Sequence, residues 1–70
     1  MTTNGGTVVN RVKEYRLKQG LSQLKLATAV GVARQTINLI ENDKYNPSLK
    51  LCIGLAHALG TDLNTLFWLE

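Results

Sequence analysis

From Gln23 onward, small and apolar residues fall at one set of intervals: Ala27 four positions on, Gly31 eight, Ile37 fourteen and Ile40 seventeen. Two short helices joined by a tight turn satisfy those intervals. Ala27 would sit where the helices cross, a place where a larger side chain wedges them apart. Gly31 would occupy the turn, where a positive φ is expected and a Cβ is unfavourable. Ile37 and Ile40 would pack the second helix back on the first, which turns Arg34, Gln35 and Asn38 outward. That second helix begins near Ala33, and an alanine has no oxygen to offer the first free amides, so a phosphate or the Val32 carbonyl is needed to compensate.

No two-residue alternation is sustained anywhere and the one proline is Pro47, so the chain reads as all-α, with five helices and short connections. Helix one is expected from Val8 to Lys18, with Val8, Val12, Tyr15 and Leu17 at helical spacing and Gly20 as its C-terminal cap. Ser22 caps helix two, whose buried side is Leu24, Leu26, Ala27 and Val30. Helix three runs to about Glu41, before Asn42 and Asp43, both of which tolerate the left-handed conformation. Ser48 opens helix four, with Leu49, Ile53 and Ala56, and also Leu51, Leu55 and Leu59, facing inward until Gly60. Asp62 caps a last short helix through Leu66, and Phe67, Trp68 and Leu69 finish the chain. Residues 1–7, rich in Thr, Asn and Gly, are expected to be a disordered N-terminal segment ahead of one domain at 8–70, with the two-helix unit at 22–41.

At 70 residues there is room for one domain, near the lower limit at which an apolar core outweighs chain entropy unaided. One cysteine, Cys52, excludes an internal disulfide, and one His57 without a second ligand leaves no tetrahedral metal set. There is no nucleophile with an adjacent base, no phosphate-cradling glycine loop and no carboxylate dyad, so no enzyme and no cofactor are expected. No apolar run approaches a membrane span and "MTTNGGTVV" lacks the features of a signal peptide, which makes the cytoplasm the expected compartment. The net charge of +3 is unevenly placed: residues 1–44 carry seven basic side chains against three acidic ones, residues 45–70 one against two. One face meeting phosphates produces that asymmetry, although lysines that merely keep a small domain soluble do so as well.

The stretch "GLSQLKLATAVGVARQTINLIENDKYNPSL", with Gln23, Ala27, Gly31, Ile37, Glu41-Asn42 and Asn46-Pro47-Ser48 in one register, resembles the helix-turn-helix DNA-binding domains of the phage repressor and Cro type. The likeness runs from about Val9 to Trp68. It implies a compact five-helix bundle that binds double-stranded operator DNA as a homodimer. It also implies a partly buried ion pair between Arg16 and Glu41. Three positions depart from the family pattern: Ala33 at the cap, Leu39 where some relatives carry a base-reading polar residue, and Asp43 where a glycine is frequent.

On that frame Arg34 is suited to guanine O6 and N7 and Gln35 to adenine N6 and N7, while Asn38 would reach a base edge or a phosphate. Phosphate contacts are expected from Gln23, Thr36, Asn42, Lys44 and Tyr45, with Tyr45 alternatively packing over the start of helix four and Arg11 as a flanking ligand. Leu39 would meet a thymine methyl or the dimer edge. Leu63, Leu66, Phe67, Trp68 and Leu69 are more apolar bulk than one chain end needs, so some complete the core and the rest form a two-fold interface. The function these residues favour is a sequence-specific transcriptional regulator, a repressor, with no small-molecule ligand indicated. The alternatives are the antitoxin of a toxin–antitoxin pair, or a protein-interaction module that keeps the fold without DNA binding.

Overall fold

Three short polar side chains mark where helices start. Ser22 Oγ accepts from the Lys25 amide at 3.0 Å, Ser48 Oγ from Leu51 at 3.2 Å and Asp62 Oδ1 from Thr65 at 2.8 Å. Each satisfies an amide that the helix itself leaves free. In the computed structural model, which describes residues 8–69 and only the backbone at positions 8, 9, 68 and 69, these caps open α2 (Gln23–Val30), α4 (Leu49–Ala58) and α5 (Leu63–Leu66). The other two helices are α1 (Val12–Lys18) and α3 (Arg34–Glu41), the latter with no side-chain cap at Ala33.

Four helices end in the same way. After each, a residue of positive φ turns the chain so that two consecutive amides reach back to the last carbonyls, as when Gly31 and Val32 donate to Thr28 and Ala27. Three of these turns use glycine, at positions 20, 31 and 60; the fourth, after α3, uses Asp43 at φ +58°.

Val12, Leu26, Ala27, Ile37, Ile40, Leu55, Ala56, Leu59 and Leu66 form the buried core, with Tyr15, Leu21, Val30, Val32, Leu51, Ala58 and Phe67 packed around it. Ala27 is 1% exposed on α2, in the core it shares with Ile37 and Ile40 of α3. Every helix contributes to this core, so the five-helix, all-α reading describes the body of the fold.

Two expectations need correction. Helix one does not begin at Val8: residues Val8–Asn10 form a strand, β1, that pairs antiparallel with β2 (Phe67–Leu69), Val8 opposite Leu69 and Asn10 opposite Phe67. Arg11 N–H then bonds Leu66 O at 2.9 Å, and the helix starts only at Val12. Leu24, Leu49 and Ile53 are exposed, by 59%, 65% and 53%. Each lies two residues from an inward side chain, Leu26, Leu51 or Leu55, and two residues turn a helix through about 200°. Leu17 is likewise exposed, while residues 1–7, expected to be disordered, lie outside the described residues.

Candidate nucleic-acid interface

The outward face of α3 is held from behind by charge. Arg16 on α1 grips Glu41 at the end of α3 with two parallel hydrogen bonds, Nε to Oε2 at 2.7 Å and Nη2 to Oε1 at 3.2 Å. Both side chains are nearly out of solvent, 9% and 2% exposed. A third guanidinium nitrogen donates to Leu21 O at 2.8 Å, and Gln23 at the start of α2 donates to Glu41 Oε1 at 3.1 Å. This network joins α1, the entry to α2 and the exit of α3, with the bidentate geometry that makes an arginine–carboxylate pair directional. The recognition-type helix is thereby fixed relative to the helix that precedes it.

In front of that anchor, Arg34, Gln35 and Asn38 are exposed, the first two on the opening turn of α3 and Asn38 one turn on from Arg34. Thr36 and Leu39 are half-buried. Because Ala33 supplies no cap, the amino-terminal end of α3 is open to an acceptor from outside, the condition under which helix amides bind phosphate. Gln23, half-buried, spends one amide hydrogen on Glu41 and has a second available for a phosphate. Asn42 donates to Asn38 O at 2.8 Å, so its amide closes the end of α3. Lys44, Tyr45 and Asn46 follow as an exposed loop beside that end, with Tyr45 46% exposed and one of the residues lining a groove with Val30, Val32 and Leu51. Arg11 lies 3.9 Å from Glu14; Lys18 sits 3.4 Å from Glu14 and over the Tyr15 ring.

At the carboxyl end, Leu66 is fully buried in its own core and cannot serve a two-fold contact. Leu63 and Phe67 are half-buried, and Trp68 and Leu69 continue the chain in β2. Partial burial pushes the Cys52 thiol up, which favours its protonated form. Asp62 is held below the usual carboxylate range by its bonds to the Thr65 hydroxyl and amide.

One residue of the loop's framework escaped the sequence reading. Asn10, placed there within helix one, uses its whole side chain: Nδ2 donates to Ile40 O at 2.9 Å and to Asp43 Oδ1 at 2.8 Å, while Oδ1 accepts from Val12 N–H at 3.1 Å. The available signal was two valines ahead of it and three large apolar residues at the far end of the chain, a pattern suited to strands.

Two helices packed over a buried alanine, a left-handed glycine between them and an exposed polar face on the second are the parts of a helix-turn-helix. The family model described as "Helix-turn-helix" matches residues 12–66. The chain belongs to this family of DNA-binding transcriptional regulators, which are not enzymes. It is 46% identical over 61 residues to the HTH-type transcriptional regulator YgzD of Bacillus subtilis, covering 87% of this chain and 92% of that one. It is 37% identical over 60 residues to the immunity repressor of Bacillus phage phi105, covering 86% of this chain and 42% of that protein. Among solved structures, SinR in complex with DNA superposes with a TM-score of 0.73 at 32% identity over 79% of this chain and 89% of that chain. The chain spans only 54% of the matched chain in the SinR–SinI complex, at a TM-score of 0.74 and 32% identity.

Proposed function

We propose that this chain is a sequence-specific repressor that binds double-stranded operator DNA as a homodimer, with α3 of each copy in successive major grooves about 34 Å apart. The observation that carries this reading is the exposed row Arg34, Gln35 and Asn38 on a helix whose other end is locked by the Arg16–Glu41–Gln23 network. Base edges are read most precisely by side chains on a rigid support, and that network supplies the support. Arg34 and Gln35 are assigned to bases, Asn38 to a base edge or phosphate, and Gln23, Thr36, Lys44 and Tyr45 to phosphates. Asn42 acts through its bond to α3 and secondarily on DNA. The unit that does this spans residues 8–70, and Leu63, Phe67, Trp68 and Leu69 form the two-fold contact. Repression follows from occupying a promoter, in the cytoplasm; no helix among the described residues is long and apolar enough to cross a membrane.

The test is fluorescence anisotropy with a duplex selected from a random pool, at two salt concentrations, for the parent, Arg34→Ala and Lys44→Ala. Arg34→Ala is expected to cost about 1–3 kcal/mol and to flatten preference at one base pair. Lys44→Ala is expected to weaken all sequences alike and lower the salt slope by about one. Equal, weak binding of selected and random DNA by the parent would sink the proposal.

A further inference from the structure

Of the four helices that end in a left-handed turn, only α3 does so without glycine. Its turn is otherwise complete: Asp43 N–H bonds Ile40 O at 3.1 Å and Lys44 N–H bonds Leu39 O at 2.8 Å. At φ +58° an aspartate is tolerated but less favoured than glycine, and here its carboxylate has a partner that a glycine would lack. What it does is visible. Asp43 Oδ1 is held by Asn10 at 2.8 Å, and the same Asn10 nitrogen bonds Ile40 O, the carbonyl that the Asp43 amide also uses. Asn10 is in turn fixed by β1 pairing with β2 and by accepting the Val12 amide that opens α1.

We infer that Asn10 is a positioning residue for DNA binding: by clamping the left-handed turn at Asp43 it sets the direction in which Lys44 and Tyr45 leave α3 toward the phosphate backbone. This rests on the assignment of Lys44 and Tyr45 to phosphates made above. The clamp serves a second end, since a carboxylate beside DNA repels phosphate, and the Asn10 bond keeps that charge drawn toward β1. It also ties the loop to the terminal ribbon, so whatever steadies β2 steadies the loop. Asn10 touches no base in this arrangement, and its loss is felt equally on every DNA sequence.

The variants are Asn10→Ser, Asp43→Gly and the double. A serine hydroxyl still accepts the Val12 amide but is too short to hold Asp43, which preserves the start of α1. Glycine takes the left-handed turn unaided. Asn10→Ser is expected to bind selected and random duplexes about tenfold more weakly, with base preference unchanged and the salt slope reduced by about one. Asp43→Gly binds at least as tightly as the parent, and adding Asn10→Ser to it costs no more than about twofold. That rescue separates a clamp on the turn from a general stabilising role, which glycine at 43 would not repair. Equal losses from Asn10→Ser in both backgrounds, or a changed base preference, overturn the inference. The amide NMR signals of Lys44 and Tyr45 in the free protein supply a check that needs no DNA: unmoved signals in Asn10→Ser refute the clamp alone. Failure of the parent to prefer selected DNA instead refutes the DNA-binding assignment on which the inference rests.

Discussion

Replacing Glu41 by glutamine keeps the side chain's shape and removes its charge, leaving the Arg16 guanidinium 9% exposed with no counter-ion. Glutamine can still accept one hydrogen bond from Arg16, and the Leu21 carbonyl keeps another. What disappears is one of the two bonds from Arg16, the charge on the acceptor of the Gln23 bond, and the attraction that offsets burying the cation. Charge-assisted bonds contribute about 1.5–3 kcal/mol each, and breaking one side of a buried pair costs about 3–5 kcal/mol, so a loss of about 3 kcal/mol is expected. A 70-residue domain has about 3.5–10 kcal/mol in total, so the substitution removes a large part of its stability, equivalent to a fall in Tm of about 12 °C or more. Urea titration followed by far-UV circular dichroism at pH 7 measures it, and the loss should change little with added salt because the pair is buried. The control is Arg16→Met with Glu41→Leu, which removes both charges. It should lie within about 2 kcal/mol of the parent, the remainder reflecting the partners Leu21 O and Gln23 lose. A loss below about 1 kcal/mol for Glu41→Gln, or a double variant as unstable as the single one, would refute the account of a charge stranded in the interior.

Gly31→Ala meets no atom within 4 Å of the added Cβ, so its cost comes from the backbone at φ +75° alone and should be about 1–2 kcal/mol in the same titration; a larger loss would mean a clash. Leu55→Ala, in the core centre, should cost about 2–5 kcal/mol. Asp62 titrates below the ordinary value of 3.8, so its contribution is full above that value and is lost as pH falls through its lower, folded value. Asp62→Asn keeps a capping oxygen but does not titrate, and should therefore show a shallower loss of stability between pH 5 and the acid limit; an unchanged acid limb would contradict this. Leu63→Lys should shift sedimentation toward the monomer and weaken operator binding without altering the circular dichroism spectrum.

Much of the helical framework was legible because its determinants are local. Ser22, Ser48 and Asp62 cap helices whose amides lie three residues away, and Gly31 marks a turn by its own conformational freedom. The polar face of α3 follows once Ile37 and Ile40 are known to point inward. The Arg16–Glu41 pair spans 25 residues and was suggested by family resemblance, not by any local pattern. Leu24, Leu49 and Ile53 misled because an apolar side chain does not declare which side of its helix faces the core when other leucines offer a competing stripe. The ribbon and Asn10 were faint for a different reason: three-residue strands are too short to show a period, so apolar residues at both ends were the only cue, and the partner of Asn10 is 33 positions away.

The antiparallel ribbon joins Val8 to Leu69 and Asn10 to Phe67, so it closes a loop containing almost all of the folded chain. Contacts between neighbouring helices close far shorter loops and lose less chain entropy when they form. The helical core can therefore assemble before the ribbon zips, and the ribbon is the natural place for opening to start under native conditions. Hydrogen exchange should find the Arg11 amide, bonded to Leu66, exchanging through an opening smaller than global unfolding, while the amides of Leu26 and Ile37 exchange only when the whole domain melts. Each such opening also releases Asn10, so the loop after α3 experiences brief intervals of slack within an otherwise intact protein. The lifetime of a DNA complex would then depend on how firmly the two ends of the folded chain stay zipped.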